Sequence, residues 1–303
     1  MSESILPTND VMFKIIFWNQ EYPDVLISFI NAILKRDNPI TSIELLNTEI
    51  HNEFIGEHGV RLDLAARTSN GELLNIEMQK KNEDDIYKRS LYYWASLYYT
   101  QLKKGQKYKA LHPAITINVL DFNLFDDKRS NRKFILKDEK TNEEYLRMIE
   151  MHFVELNKRQ YMDTNDDLWK WLEFLKSPDS ENLQWIYESS VCPEGAEAIE
   201  HAKEIFDKAL VDPENQETIK LIEKAEKDKL SAIETAREKG LAEGLEKGLE
   251  KGKEEGIAEG LEKGEHNAKI ETARNMLSRG LDINLVSHCT GLSIEEIKFL
   301  LYQ

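Results

Sequence analysis

The sequence has few cysteines and no long apolar run, and each shortage excludes a class of protein. Only two of its 303 residues are cysteines, Cys192 and Cys289, and they lie far apart without metal-ligand spacing. Neither a disulfide framework nor a structural zinc site is indicated, so we expect two free, buried thiols. No run approaches the roughly 18 apolar residues that span a membrane, and the start "MSESILPTND" does not resemble a signal peptide. These absences predict a cytoplasmic protein with no membrane partner.

The chain also lacks positive charge overall, since its net charge is −16. The excess is uneven: residues 1–120 carry 15 acidic and 13 basic side chains, whereas residues 191–303 carry 25 and 16. The N-terminal part contains the basic clusters Lys80–Lys81, Lys88–Arg89, and Lys103–Lys104 with Lys107 and Lys109. Such clusters can bind phosphates, although they more often form a solvated surface. A polyanionic partner such as DNA is therefore compatible with the net charge.

The order of helix and strand patterns predicts a mixed α/β domain. Capping and apolar periodicity indicate helices in "TNDVMFKIIF" and "YPDVLISFINAIL". Three strand-like runs follow, "ITSIELLNTEI", "VRLDLAART" and "ELLNIEMQ", and Ser69-Asn70-Gly71 joins the last two as a hairpin turn. Residues 84–104 read as an aromatic helix ending before Gly105, while "AITINVL" and "MHFVELN" read as strands. The order α, β, β, β, α, β predicts a mixed sheet with helices on its faces.

From about Thr164 the pattern is helical throughout. A glycine occurs at every fourth position from Gly240 to Gly264, mostly followed by Leu or Ile. We expect residues 228–268 to form a helix that self-associates as a coiled coil, and the alternative is a simple spacer. The chain divides by composition into residues 1–160, 161–227, 228–268 and 269–303.

The sequence pattern of residues 269–303 predicts three short helices. Gly280 ends the first, and Ser293 with Glu296 forms a capping box for the last. The stretch "INLVSHCTGLSIEEIKFL" resembles a helix-turn-helix, but its would-be recognition helix carries Glu295 and Glu296 against a lone Lys298. Because these charges disfavour phosphate contact, we expect a dimer-forming or capping role for this segment.

Two isolated carboxylates, Asp63 and Glu77, lie in the apolar runs of the predicted hairpin. Leu64 and Ile76 belong to the core faces of their strands, so both acids point to the opposite face, together with Gln79. If Ser69-Asn70-Gly71 is a three-residue loop, Asp63 lies directly opposite Glu77. Like charges so placed repel unless a proton or cation lies between them, and Mg²⁺ suits oxygen ligands.

Two alternatives to a metal site remain open at this stage. Acids on the solvent face of a hairpin are common, and a two-residue loop would shift the register and separate the pair. The helix predicted after the hairpin favours the metal site, because it would cover this face and unpaired buried carboxylates are costly.

Several motifs together resemble the recombination-promoting nuclease (Rpn) family, also called PD-(D/E)XK family transposases, within the PD-(D/E)XK nuclease superfamily. They are "LPTNDVMFKIIF", "RLDLAART", "LNIEMQ" and "YKRSLYYWASLYYTQLKKGQKY", and the resemblance covers roughly residues 5–160. It implies a restriction-endonuclease-like core and a DNA endonuclease that depends on Mg²⁺ or another divalent cation and is linked to recombination or transposition. The resemblance also implies that Asp63, Glu77 and the Met78 carbonyl hold the metal.

The sequence departs from the superfamily pattern at one position. Gln79 stands where a lysine is usual, and it could orient the attacking water but cannot supply positive charge. Lys14 or Arg89 could supply that charge, and the sequence does not select between them. Asp10 is a possible further ligand, although an acid in the first turn of a helix also complements the helix dipole.

The remaining candidates have structural alternatives. Six aromatic residues in the predicted helix could stack on bases, but we expect them to pack into the core: Tyr87, Tyr92, Tyr93, Trp94, Tyr98 and Tyr99. His51 and His58 are expected at the surface. The alternative to an enzyme is a catalytically weak or inactive nuclease fold that acts as an oligomeric module for binding DNA or protein.

Overall fold

The structure is a computed structural model that describes residues 5–47, 49–50, 60–61, 63–82, 84–188 and 196–301. The helices are α1 (Asp10–Phe17), α2 (Pro23–Leu34), α3 (Ile86–Tyr99), α4 (Asp167–Lys176), α5 (Glu181–Glu188), α6 (Ala196–Val211), α7 (Pro213–Ser278), α8 (Ile283–Thr290) and α9 (Ile294–Leu301). The strands are β1 (Ile43–Leu45), β2 (Glu49–Ile50), β3 (Val60–Arg61), β4 (Leu64–Thr68), β5 (Leu73–Gln79), β6 (Ala114–Leu120), β7 (Asn131–Ile135) and β8 (Ile149–Glu155).

The predicted mixed sheet is confirmed. Six strands lie in the order β1-β4-β5-β6-β8-β7, and β2 pairs with β3 separately. The central strands β5, β6 and β8 run parallel, whereas β1, β4 and β7 pair antiparallel with their neighbours. The parallel centre places the carboxyl ends of β5 and β6 side by side, with Gln79 opposite Leu120.

Helices cover both faces of the sheet. On one face, α1, α2, α4 and α6 form the main core with the inward residues of β4, β5 and β6. Trp171 lies at its centre, with its ring 5.7 Å from Phe17 and 5.5 Å from Phe29. On the other face, Leu97 of α3 packs with Ala65, Leu73 and Ala114 in a smaller cluster. The alternation of strand side chains therefore sends one set of β5 residues to the main core and the other set under α3.

Helix α3 is shorter than the sequence indicated. It ends at Tyr99, five residues before the predicted end. The Gln101 side chain hydrogen-bonds the backbone of His112 twice, at 3.0 and 2.9 Å, which holds the chain against the start of β6. Gly105 completes the turn with a φ of +90°.

The C-terminal compact unit begins at Ile222, within α7. The end of α7 packs with α8 and α9 around Ala273, Val286, Leu292 and Ile297. Both predicted end signals are confirmed, since α7 ends before Gly280, whose φ is +78°, and Ser293 and Glu296 hydrogen-bond each other reciprocally. The expectation of three short helices is wrong for the first, which is the end of the 66-residue α7.

Cys289 is exposed, so the prediction of a buried thiol is wrong for it, because it lies on the outer side of the short helix α8. Cys192 lies outside the described residues. Among the described helices, none combines the length and apolar character needed to cross a membrane.

Candidate active site

The hairpin of β4 and β5 has the register that a three-residue loop predicts. Thr68 donates its backbone N–H to the Glu72 carbonyl at 2.9 Å, and Gly71 adopts a φ of +82° in the turn. Leu64 pairs with Ile76, which places Asp63 and Glu77 opposite each other at the next position along the ladder. The alternative two-residue register is therefore excluded.

Backbone N–H groups link Asp63 and Glu77 through hydrogen bonds to their carboxylates. The Asp63 N–H donates to Glu77 Oε1 at 3.2 Å, and the Met78 N–H donates to Asp63 Oδ2 at 3.2 Å. Glu77 is only 4% exposed, and the Asp63 side chain keeps 23% of its surface in solvent. One carboxylate is thus buried and the other lies at the solvent edge.

The electrostatics of the pair are unfavourable without a cation. Burial, and then the charge of Asp63, raises the pKa of Glu77 from 4.5 to about 8. The Asp63 N–H, the Asn75 amide and Arg89 lower that pKa but do not offset the rise. At neutral pH the pair therefore holds a proton unless another positive charge takes its place.

Both candidate basic residues reach the pair, from opposite sides. Lys14 of α1 places Nζ 2.9 Å from Asp63 Oδ1. Arg89 of α3 donates to Gln79 Oε1, and Gln79 Nε2 lies 3.5 Å from Glu77 Oε2. Lys14, Asp63, Glu77, Gln79 and Arg89 therefore form one continuous series of contacts, with a basic residue at each end.

Asp10 and Met78 are the remaining predicted site residues. Asp10 begins α1, is exposed, and stands one helical turn before Lys14. The Met78 side chain packs into the main core, so only its backbone is available to the site. In the part of the chain that the structure describes, no three side chains of His, Cys, Asp or Glu form a group that could hold a metal ion. His51 and His58 lie outside that part.

A polar layer beneath α3 is a feature that sequence reasoning missed. Ser90 accepts a hydrogen bond from Asn118 Nδ2 at 2.9 Å and lies 3.3 Å from the Thr116 hydroxyl. Asn75 is fully buried in the same layer, and its amide makes no hydrogen bond of good geometry although it lies near enough to Glu77 to lower the pKa of that residue. The sequence did contain a signal for this layer, because the polar residues Thr116 and Asn118 interrupt the apolar run of β6.

Tyr93 is a second residue that was missed. It lies one helical turn after Arg89 in α3 and is partly buried. Burial and the charge of Glu77 raise its pKa, which places its hydroxyl within the electrostatic range of the pair. The inward packing of this side chain agrees with expectation, whereas its proximity to the carboxylates was not foreseen.

Comparison with known proteins identifies the family. The family model described as PD-(D/E)XK nuclease family transposase matches residues 7–236, and the one described as Rpn/YhgA-like nuclease family, C-terminal HTH domain matches residues 266–301. Neither a curated protein nor a solved structure matches the chain. Nucleases of this type generally use divalent cations, and a helix-turn-helix supports DNA as a partner. Since the first match spans more than half of the 303 residues, the chain belongs to the PD-(D/E)XK nuclease family transposases.

Proposed function

We propose that this protein is a Mg²⁺-dependent endonuclease that hydrolyses DNA phosphodiester bonds in recombination or transposition. The observation that carries the proposal is the contact between Asp63 and Glu77 under α3, with Lys14 on one side and Gln79 with Arg89 on the other. Phosphodiester hydrolysis needs an oriented water and positive charge near the phosphate.

The donor atoms present fit a hard divalent cation. Asp63 and Glu77 offer carboxylate oxygens and Met78 offers a backbone carbonyl, which are the oxygen donors that Mg²⁺ prefers. The raised pKa of Glu77 means that Lys14 and Arg89 do not fully offset the negative charge of the pair in its metal-free form. When bound, Mg²⁺ would lower the pKa of a coordinated water and offset negative charge on the phosphate.

The surrounding residues have distinct roles in this proposal. Arg89 fixes the Gln79 amide, which leaves Gln79 positioned to orient a water rather than to carry charge. Lys14 supplies the ammonium that other members of the superfamily carry two residues after the second acid, here from a different element. Because its side chain is 38% exposed, Lys14 can turn from Asp63 toward a bound phosphate.

The test uses supercoiled plasmid DNA and the purified full-length protein. Nicked or linear product should form with Mg²⁺ and disappear with chelator. Lys14→Gln should reduce cutting about 10-fold or more, whereas Lys14→Arg should restore part of it, because the positive charge is kept. Cutting that is indifferent to chelator would contradict the proposal.

A DNA-binding module is the second candidate, and two observations favour it. Gln79 cannot act as the usual lysine, and the chain carries a matched helix-turn-helix domain. Tight binding of DNA without cutting in Mg²⁺, Mn²⁺ or Ca²⁺ would support this function over catalysis.

A further inference from the structure

One stretch of this acidic chain contains no acidic residue at all. Between Asp85 and Asp121 the sequence has neither Asp nor Glu, although the whole chain carries 56 acidic residues. The same stretch holds six basic residues: Lys88, Arg89, Lys103, Lys104, Lys107 and Lys109. Helix α3 and the segment that follows it occupy most of this stretch, so its surface is locally positive.

The aromatic residues of α3 divide into two sets. Trp94 and Tyr98 stack on each other at 5.1 Å and pack inward, and Trp94 Nε1 donates to the Ala114 carbonyl at 2.9 Å. Tyr92 and Tyr99 instead remain 42% and 60% exposed. The expectation that all the aromatics pack into the core is therefore wrong for Tyr92 and Tyr99, whose positions face away from the sheet. It is also wrong for Tyr87, which is 49% exposed although its ring lies 5.7 Å from that of Phe153.

The exposed set forms a stripe with helical spacing. Lys88, Tyr92, Ala95 and Tyr99 recur at intervals of three or four residues, and all four are exposed. Leu91 lies beside the stripe and is 53% exposed. The stripe spans about 16 Å, which corresponds to roughly five stacked nucleotides.

Both ends of the stripe are placed for binding a strand. At the N-terminal end, Arg89 contacts Gln79 of the candidate active site. At the C-terminal end, the segment from Lys103 to Lys109 is exposed and is anchored through Gln101 to His112. A polyanion lying along α3 would therefore enter the site at one end and meet four lysines at the other.

We propose that this surface, the α3 track, binds single-stranded DNA and leads it to the site. The track comprises Lys88, Tyr92, Tyr99 and the segment from Lys103 to Lys109. The proposal rests on the proposed function and deepens it by naming the form of the substrate. Tyrosine rings offer stacking surfaces to unpaired bases, whereas the middle of the stripe has no cation for the phosphates of a duplex.

A second copy of the chain is the competing occupant, since exposed Leu91 and the tyrosines could also pack against a protein. Charge argues against it, because two copies of the track would bring like-charged lysines together. The absence of acids across the stretch also matches a polyanion better than it matches a protein surface of mixed charge.

The test measures binding in chelator, so that its result does not depend on cutting. Fluorescence anisotropy would follow the full-length protein with labelled oligothymidylate, and with the duplex that it forms with oligodeoxyadenylate. Tyr92→Ala with Tyr99→Ala should weaken single-strand binding about 20-fold or more, because each stacked base is worth at least about fivefold. The double change to Phe should keep the affinity, since stacking needs the ring and not the hydroxyl.

The matched control removes two exposed tyrosines elsewhere, Tyr145 and Tyr161, which are 64% and 54% exposed, and it should leave binding unchanged. Equal losses for duplex and single strand, unchanged binding by the Ala variant, or a change in subunit number on light scattering would each overturn the proposal. A protein that binds through the track but never cuts would refute only the proposed function. If the wild-type protein cuts DNA normally and the Ala variant binds single strands as tightly as the wild type, only the proposal of the α3 track is refuted.

Discussion

The charge state of two side chains determines the free energy of the candidate site. Glu77 is almost fully buried beside Asp63, and both belong to adjacent strands whose backbone holds them in contact. Like charges directly opposite each other in a hairpin are destabilising, and burial increases the cost. Above the pKa of Glu77, about 8, the metal-free protein is therefore destabilised by this pair, and a cation or a neutral side chain would relieve the repulsion.

Replacing Asp63 by Asn should separate binding of the metal from stability of the fold. Asn keeps the size and the capacity for hydrogen bonds but removes a charge, so plasmid cutting in Mg²⁺ should fall to background. The melting temperature in chelator, measured at about pH 9 where Glu77 is ionised, should rise by roughly 2–4 °C, for a relief of about 1 kcal/mol. Relief of repulsion outweighs the loss of the partly exposed ion pair with Lys14, because such pairs contribute about 0–1 kcal/mol. Differential scanning calorimetry measures the change.

Asp121 provides the matched control for this variant. It is 19% exposed and pairs with Lys176 at 2.5 Å, so it matches Asp63 both in burial and in its ion pair with a lysine. Asp121→Asn should lower the melting temperature slightly and leave cutting intact. An Asp63→Asn protein that cuts at the normal rate would contradict the assignment of Asp63.

Replacing Gln79 by Ala should slow turnover without a comparable loss of metal affinity. The amide lies between Arg89 and Glu77, where it can orient a water, and a misplaced water costs roughly 10- to 100-fold in rate. Single-turnover cutting and calorimetric titration with Mg²⁺ measure the two quantities separately. A parallel loss of both would instead make Gln79 a support for the ligands.

The sequence predicted the pairing of Asp63 with Glu77, but it left open which basic residue contacts them. Pairing follows from local facts, namely the length of the loop and the alternation of strand side chains. The contact of Lys14 with Asp63 depends on how α1 packs against the sheet, and that packing is decided by core residues distant in sequence. The alternation of strand side chains therefore identified the two acids. The choice between Lys14 and Arg89 needed the tertiary structure, in which Lys14 contacts Asp63 and Arg89 contacts Gln79.

At the level of strands and helices, a buried ionic network joins α2 to the sheet. Arg36, which follows α2, binds Glu72 at 2.8 Å and Glu150 of β8 at 3.1 Å. His152 Nε2 lies 2.8 Å from Glu150 Oε1, and Lys133 of β7 lies 3.3 Å from the same atom. Glu150 thus connects three elements through charged hydrogen bonds.

This network predicts how stability depends on pH. Burial is the largest influence on Glu150 and raises its pKa, but His152, Arg36 and Lys133 outweigh burial and hold the pKa at about 2, below its ordinary 4.5. The unfolded chain therefore binds the proton more readily, so the stabilisation is present above pH 4.5 and is lost as the pH falls through about 2. Urea unfolding between about pH 5 and pH 2 should show a shallower loss for Glu150→Gln than for the wild type. Exposed Glu139→Gln is the control, and a Glu150→Gln curve parallel to the wild type would contradict the prediction.

Strand β7 is an element that the sequence pattern did not predict. Its residues, Asn131 to Ile135, are mostly polar and lie at the edge of the sheet, antiparallel to β8. An edge strand needs apolar residues on only part of one face, so no clean alternation marks it. By contrast β6 is buried along its whole length, and its β-branched composition identified it directly.

Considered as a whole molecule, the chain exposes an apolar series that its own fold does not cover. Helix α7 runs for 66 residues, and the apolar residues that follow its repeated glycines remain between 62% and 76% exposed: Leu241, Leu245, Leu249, Ile257 and Leu261. Among the described residues, a Cβ placed at any of the repeated glycines from 240 to 264 would meet no atom within 4 Å outside the adjoining backbone of its own helix. The glycines are therefore not required by packing within one copy, although each costs about 1 kcal/mol relative to Ala in a helix interior.

We expect this helix to associate with a second copy through the glycine and leucine series. A four-residue repeat drifts by about 40° per unit on a 3.6-residue helix, so the contact should cross or coil with a right hand. Light scattering should show fewer subunits for a protein ending near residue 227 than for the full chain. In the full chain, Gly244→Ala with Gly248→Ala should stabilise the helix yet weaken assembly, since close approach requires the missing Cβ. Ser231→Ala, which is exposed on the same helix outside the repeat, should leave assembly unchanged. A spacer would behave differently: the glycine variants would only gain helicity, and the truncated protein would keep the subunit number of the full chain.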